Sequence, residues 1–358
     1  MKVGIVGLPN VGKSSLFNLL TAGSAKVDLY PFTTIEQNVG VVLVPDERLD
    51  RITQILKPEK TTPAHIEFVD IAGLVTGASA GEGLGNKFLG HVREADLILH
   101  IVRAFSASNI PHVLDTVDPD RDVAIIEAEL AVADLAIVEK RLEHVRKEAK
   151  TPALSDRDRG GQQQTLLDAL ERLHSALARG ERPALTPEQS RATRELGIIL
   201  TKPVIYALNC SDTEPADPSR FPKTAAKTGL LFSAALEAGM GDFAEPDRVE
   251  LRRSLNLAPE GPSGIVTRCF EALRLIRFYT IKGTESRAWA APAGTTALEA
   301  AFMIHTDIGS GFVKAEVVNY RDLVACGDFH ICRDKGHIKV EGRTYVVQDG
   351  DVLLIKFR

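Results

Sequence analysis

The residues that could do chemistry begin at Gly7-Leu-Pro-Asn-Val-Gly-Lys13-Ser14. An apolar strand pattern, Lys2–Val6, precedes them, and a helical pattern beginning with Ser15-Leu-Phe-Asn-Leu-Leu20 follows. The turn therefore stands at a helix start, where backbone N–H groups and the positive end of the dipole face bound anions. Gly7 and Gly12 let the chain curl around oxygen atoms that a Cβ would obstruct. Lys13 supplies a point charge for the β and γ phosphates, and Ser14 offers its hydroxyl to Mg2+. Asn10, Val11, Gly12, Lys13, Ser14 and Ser15 are thus candidate nucleotide-binding residues. The whole G-x-x-x-x-G-K-S pattern in this context predicts a nucleoside-triphosphate site rather than a bare glycine-rich turn.

A second group of residues answers to the first. Asp70-Ile-Ala-Gly73 closes an apolar strand, so Asp70 is a candidate metal residue and the Gly73 N–H a candidate contact to the γ phosphate. Thr33 and Thr34 are candidates for a switch threonine that completes magnesium coordination, and Thr34 is favoured. Many GTPases carry glutamine directly after the glycine to orient the attacking water, but Leu74 stands here and cannot hydrogen-bond through its side chain. Intrinsic hydrolysis is therefore expected to be slow. Thr76-Gly-Ala-Ser-Ala-Gly-Glu-Gly-Leu-Gly85 has the composition of a mobile switch, and His91 follows on an expected helix. Lys13, Gly73 and His91 make up the catalytic candidates, with a solvent-facing structural histidine as the plainer reading of His91.

These residues need a scaffold. The chain has 358 residues, enough for more than one domain, with 44% apolar and 25% charged residues and a net charge of -5. No apolar run approaches the ~20 residues of a membrane span, and the first strand starts at once, so no membrane association and a cytoplasmic location are expected. Cys210, Cys269, Cys326 and Cys332 form no C-x-x-C pair and are expected to be reduced structural thiols, though the last two could meet across a hairpin. Lys2–Val6, Val39–Val44, His65–Asp70, Leu97–Val102, Val204–Leu208 and Leu230–Ser233 read as strands of a largely parallel sheet with one antiparallel member. The interruption is helical: Ile126, Leu130, Ala133, Ile137, Leu142 and Val145 form one apolar stripe, and Leu166, Leu170, Leu173 and Leu177 another. Between them Thr151–Gly161 is expected to break the chain and return it as an antiparallel pair. A β-rich module follows, with strands over Phe278–Lys282, Ala288–Ala291, Ala315–Val318, Tyr345–Val347 and Val352–Phe357 and a helix capped by Thr295 or Thr296.

By these motifs the sequence resembles the YchF subfamily of Obg-like P-loop ATPases. The resemblance is carried by the phosphate loop, by Tyr30-Pro-Phe-Thr-Thr34, Asp70-Ile-Ala-Gly-Leu74 and Gly81-Glu-Gly-Leu-Gly-Asn-Lys-Phe88, and by Arg103-Ala-Phe105 and Val117-Asp-Pro119. In the last module it runs through Arg287-Ala-Trp289 and His305-Thr-Asp307 to Asp349-Gly-Asp351. It implies an α/β fold: a Ras-like P-loop NTPase domain (residues 1–121 and 201–271), an inserted antiparallel helical coiled-coil arm (122–200) and a C-terminal β-grasp TGS-like domain (272–358). A guanine reader would carry Asn-Lys-x-Asp after a late strand, whereas this chain has Asn209-Cys210-Ser211-Asp212, and Cys210 lacks the long charged stem. The family pattern is Asn-x-x-Glu, so Asp212 stands at its glutamate position; ATP is favoured, with GTP as the alternative substrate. Ser233 and Ala234 are the matching base-proximal residues, through their backbone. Asn10 either helps to place K+ between phosphates or braces its own turn. The resemblance further implies a ribosome or ribosomal subunit as partner, with RNA contact, and a switch acting in translation or stress responses. The alternative class is a nucleotide-stabilised scaffold or RNA- and ribosome-binding module with incidental hydrolysis.

Overall fold

The structure is a computed structural model that describes residues 1–22, 38–71, 84–149, 157–227, 229–282 and 285–358. Its first half contains β1 (Lys2–Val6), α1 (Lys13–Ala22), β2 (Val39–Leu43), α2 (Glu47–Leu56), β3 (Lys60–Thr62), β4 (His65–Asp70), α3 (Leu84–Glu94), β5 (Leu97–Arg103), α4 (Pro119–Ala149) and α5 (Arg157–Ala178). Then come α6 (Pro187–Thr193), β6 (Val204–Asn209), α7 (Pro222–Lys227), β7 (Leu230–Phe232), α8 (Ala234–Gly239), α9 (Glu245–Ser254), α10 (Gly261–Ala272), β8 (Leu275–Lys282) and β9 (Glu285–Pro292). The chain ends through α11 (Ala297–Ile304), α12 (Thr306–Ser310), β10 (Phe312–Asn319), α13 (Tyr320–Cys326), α14 (Phe329–Asp334), β11 (Lys339–Glu341) and β12 (Asp351–Phe357). The described residues fall into two compact units, one made of those within 1–20, 38–39 and 68–265 and the other of those within 21–22, 40–67 and 266–358.

The first sheet has the order β2-β4-β1-β5-β6-β7. Its centre is parallel, β1 with β5, β5 with β6 and β6 with β7. Every residue of β5 is buried, as expected for a parallel strand covered on both faces. That includes His100, whose imidazole burial pushes down to about 4. Parallel pairing brings the C-terminal ends of β5 and β6 side by side, with Arg103 opposite Asn209. These two ends back the phosphate loop.

The expected apolar stripes form a helical pair. Ile126, Leu130, Leu142 and Val145 of α4 and Leu170, Leu173 and Leu177 of α5 are buried, while Ile137 is half-buried and Val138 takes the inner position beside it. Arg146 closes the pair from outside with a hydrogen bond to Glu171 at 2.9 Å. One boundary differs from expectation: α5 already begins at Arg157 and runs through Gly160 and Gly161. A glycine costs a helix only about 1 kcal/mol, which packing further along can override.

The second unit is built on a sheet of order β11-β10-β12-β8-β9-β3. β12 is parallel to β8, and β8 is antiparallel to β9. Phe278, Ala291, Ala297, Ala301, Phe312 and Leu353 share one core, roofed by α11. Thr296 is the cap of α11: its hydroxyl accepts from the Glu299 N–H, and the Glu299 carboxylate accepts from the Thr296 N–H. Tyr345–Val347 is not a strand. Only an isolated antiparallel bridge joins Val346 to Thr296, because Asp351 draws the segment into a turn by accepting from the Tyr345 hydroxyl and the Gln348 N–H.

Candidate functional site

The Gly7–Ser14 loop leaves the buried strand β1 and enters α1 at Lys13. Gly12 has φ +99, and a Cβ there would lie 2.3 Å from Asn209 Nδ2. Glycine is therefore required both by its backbone and by the side chain resting against it. Asn209, at the end of β6, donates from Nδ2 to the Val11 carbonyl at 2.9 Å and accepts the Ala234 N–H at Oδ1, also at 2.9 Å. One buried amide thus ties the phosphate loop to the start of α8. Ser233 caps that helix by accepting the Leu236 N–H, so its hydroxyl has a local structural role.

Lys13 is buried, and its ammonium donates to the carbonyls of Gly7 at 3.1 Å and Leu8 at 2.8 Å. Burial lowers its pKa, partly opposed by the nearby Asp70 charge. Both acceptors are neutral carbonyls that an anionic phosphate can replace. Ser14 Oγ donates to Asp70 Oδ2 at 2.7 Å, bringing together two of the three candidate metal residues. Asp70 Oδ1 is buried and has no hydrogen-bond partner among the described residues. A buried carboxylate oxygen without a partner is costly, so this donor set fits a hard cation such as Mg2+. Thr34, Gly73 and Leu74 lie outside the described residues. Ser15 is exposed on the first turn of α1, and His91 is exposed near the end of α3.

The segment expected to read the base follows β6. Cys210 is buried, with its thiol turned to the Leu208 carbonyl at 3.6 Å and its pKa pushed up to about 12 by burial. It is a packing residue, not a ligand-facing thiolate. Asp212 is exposed on the turn that the Ser211 hydroxyl organises by accepting from Thr213 and Glu214. Beside this turn lies a cavity of about 770 Å³, lined by Arg103, Phe105, Pro111, Cys210, Ser211 and Arg220 among others. A cleft of similar size, about 800 Å³, lies between α5 and the segment that leads into α6, among residues such as Asp168, Arg172 and Gln189.

Two residues take on more than their motifs announced. Asn10 adopts φ +62, and its Nδ2 donates to the Pro111 carbonyl at 3.2 Å, so its side chain ties the phosphate loop to the segment after β5 rather than to its own turn. Arg103, only 1% exposed, donates to four carbonyls: Phe105 at 3.0 Å, Asn10 at 3.3 Å, Ile110 at 2.8 Å and Pro111 at 3.4 Å. Its guanidinium also lies 4.4 Å from the Phe105 ring centroid. Backbone acceptors carry no sequence signature, so the sequence marked Arg103 only as part of the motif Arg103-Ala-Phe105.

A parallel sheet with the phosphate loop at its first strand end, an acidic strand end facing Ser14 and an Asn-led turn after β6 together define a P-loop nucleoside-triphosphatase fold of the GTPase type. Comparison agrees: residues 2–144 match the family described as 50S ribosome-binding GTPase, and residues 275–358 match the YchF-GTPase C-terminal family, described as a protein of unknown function. "Ribosome-binding ATPase YchF" of Bacillus subtilis (strain 168) is 40% identical, over 100% of this chain and 99% of its own length. Its namesake in Escherichia coli O157:H7 is also 40% identical, over 99% of each chain. The solved structure of the Schizosaccharomyces pombe YchF GTPase superposes with a TM-score of 0.84 at 34% identity, over 99% of this chain and 97% of that one. A Pyrococcus horikoshii GTP-binding protein, 20% identical with a TM-score of 0.62, shares the fold. The chain belongs to the YchF family.

Proposed function

We propose that this chain binds ATP with Mg2+ and hydrolyses it slowly, as a ribosome-associated switch in the cytoplasm. The carrying observation is the Ser14–Asp70 contact at the mouth of the Gly7–Ser14 loop. Two residues distant in sequence meet where a metal-bound phosphate chain needs them, and one carboxylate oxygen is left without a partner. Ser14, Asp70 and Thr34 would hold Mg2+, which supplies neutralisation of phosphate charge. Lys13 exchanges the Gly7 and Leu8 carbonyls for phosphate oxygens. The Gly73 N–H is assigned to the γ phosphate.

Cys210 supports ATP over GTP. Its short, buried side chain offers neither the stem nor the charge of a guanine reader's lysine. Phe105 lines the cavity beside the turn after β6 and suits the face of a base, with Asn209 holding the phosphate loop from behind. The bacterial relatives are named for ATP and the ribosome, whereas the Schizosaccharomyces pombe relative is called a GTPase, so GTP stays as the alternative substrate. Leu74 cannot orient water, so hydrolysis is slow until a partner supplies or positions the group that does. His91 is the side-chain candidate for that step. Asn10 commits its Nδ2 to Pro111, leaving Oδ1 as its contact to K+. The helical pair and the C-terminal unit are the surfaces assigned to the ribosomal or RNA partner.

Parallel calorimetric titrations with ATP and GTP analogues, in Mg2+ with K+ or Na+, test this reading. ATP is expected to bind more tightly. GTP winning by tenfold, about 1.4 kcal/mol, would overturn the base assignment. Equal rates of ATP hydrolysis in K+ and Na+, followed separately by phosphate release, would remove the potassium role.

A further inference from the structure

We propose that Arg103 is a positioning residue for phosphate binding, aiming the Val11 N–H into the loop by holding the Asn10 carbonyl from behind. The inference rests on the reading of Gly7–Ser14 as a phosphate cradle. In a trans peptide the C=O and the following N–H point in opposite directions, so fixing one fixes the other. Arg103 Nη1 holds the Asn10 carbonyl at 3.3 Å, and Asn209 Nδ2 holds the Val11 carbonyl at 2.9 Å. The two residues are register partners at the ends of β5 and β6. Side by side, they pull two consecutive carbonyls back towards the sheet and turn the Val11 and Gly12 N–H groups the other way.

The rest of the Arg103 geometry serves the same end. Its remaining donors gather the carbonyls of Phe105, Ile110 and Pro111, and Pro111 in turn accepts from Asn10 Nδ2. Asn10 is thus clasped through both its carbonyl and its side chain, which sustains its left-handed backbone. Only a planar guanidinium has enough forked donors for this arrangement; a lysine ammonium has three donors around one point. No carboxylate bonds to Arg103 among the described residues, so its charge stays uncompensated by any direct partner behind a loop that receives an anion.

The test uses magnesium tripolyphosphate, a probe with no base, on the full chain and on Arg103→Ala and Arg103→Lys, each checked for a native thermal transition. Wild type is expected to bind the probe. Arg103→Ala should bind it at least tenfold more weakly, Arg103→Lys should recover only part of the loss, and millimolar methylguanidinium should restore most of the Arg103→Ala deficit. Failure of the wild type to bind would overturn the phosphate-site reading itself. Folded variants that bind as tightly as wild type would overturn the Arg103 role alone. A measurement on the wild type needs no variant: the Val11 and Gly12 amide proton resonances should both move downfield on adding the probe. A shifted Gly12 beside an unmoved Val11 would sink the proposal.

Discussion

Two buried arginines in the first unit do opposite things. Arg252 on α9 is wrapped by acids: it forms a two-pronged pair with Glu237 at 2.8 and 3.0 Å and adds Glu245 at 2.9 Å and the Pro259 carbonyl at 2.9 Å. The Glu237 bond leads in raising its pKa. Arg103 is equally buried but donates only to carbonyls, with the Phe105 ring against its guanidinium, and burial lowers its pKa, with Asp122 opposing. The first arginine closes its own electrostatics and ties α8, α9 and the turn before α10 together. The second keeps its charge open behind the phosphate loop. A buried cation that holds structure is neutralised in place, while one that serves an anion site is held by dipoles and left for the ligand to complete.

The largest test of this contrast removes the closed arginine. Arg252→Ala leaves the Glu237 carboxylate buried without its partner, and breaking a buried pair costs about 3–5 kcal/mol. Denaturant unfolding should show that loss, while the folded protein binds ATP as wild type does. A drop in ATP affinity with little change in stability would reverse the assigned roles.

Lys13→Ala sharpens the other side. Its ammonium rests on the two loop carbonyls of Gly7 and Leu8, so removing it should leave the thermal transition near native. A charge-assisted hydrogen bond to phosphate is worth about 1.5–3 kcal/mol, and ATP should therefore bind roughly ten- to a hundredfold more weakly. Calorimetry decides it. Undiminished affinity in a native-like variant would remove Lys13 from the site.

How much of this was legible beforehand follows from what carries a local signature. The phosphate loop shows itself because strand, glycines, lysine and serine are contiguous, and the principal strands of the first sheet because their residues are β-branched and apolar. β3 does not show itself: Lys60–Thr62 is three residues long with a lysine at its start, and it becomes a strand only by pairing with β9, more than 220 residues later. Tyr345–Val347 misleads for the converse reason, since its apolar pattern yields to the turn made by Asp351. Cys210 could be read as an absence of lysine, but not as a thiol packed inward. Arg103 entered only through the motif Arg103-Ala-Phe105 that carries the resemblance, and its four partners are backbone carbonyls, which any sequence supplies. The parts that recognise a ligand through side chains announce themselves. The parts that aim the backbone do not.

The smallest expected effect lies at Asp212, where the contrast between closed and open charges reaches the surface. The residue is exposed on the turn after β6, so a base contact there competes with water and is worth about 0.5–1.5 kcal/mol. Asp212→Ala should weaken ATP a few-fold without touching stability, because no ion pair among the described residues involves it. Asp212→Glu reaches one methylene further, towards the acid that the family pattern carries, and should bind ATP at least as tightly as wild type. The same pair of variants titrated with GTP separates the two substrates. A carboxylate reading guanine would accept from two neighbouring N–H donors, so Asp212→Ala would then cost GTP far more than ATP, and Asp212→Glu would disturb that fit. Small losses of similar size for ATP and GTP on truncation, with Glu tolerated, are the outcome that fits a site whose specificity rests on Asn209 and nearby backbone rather than on a guanine-reading acid.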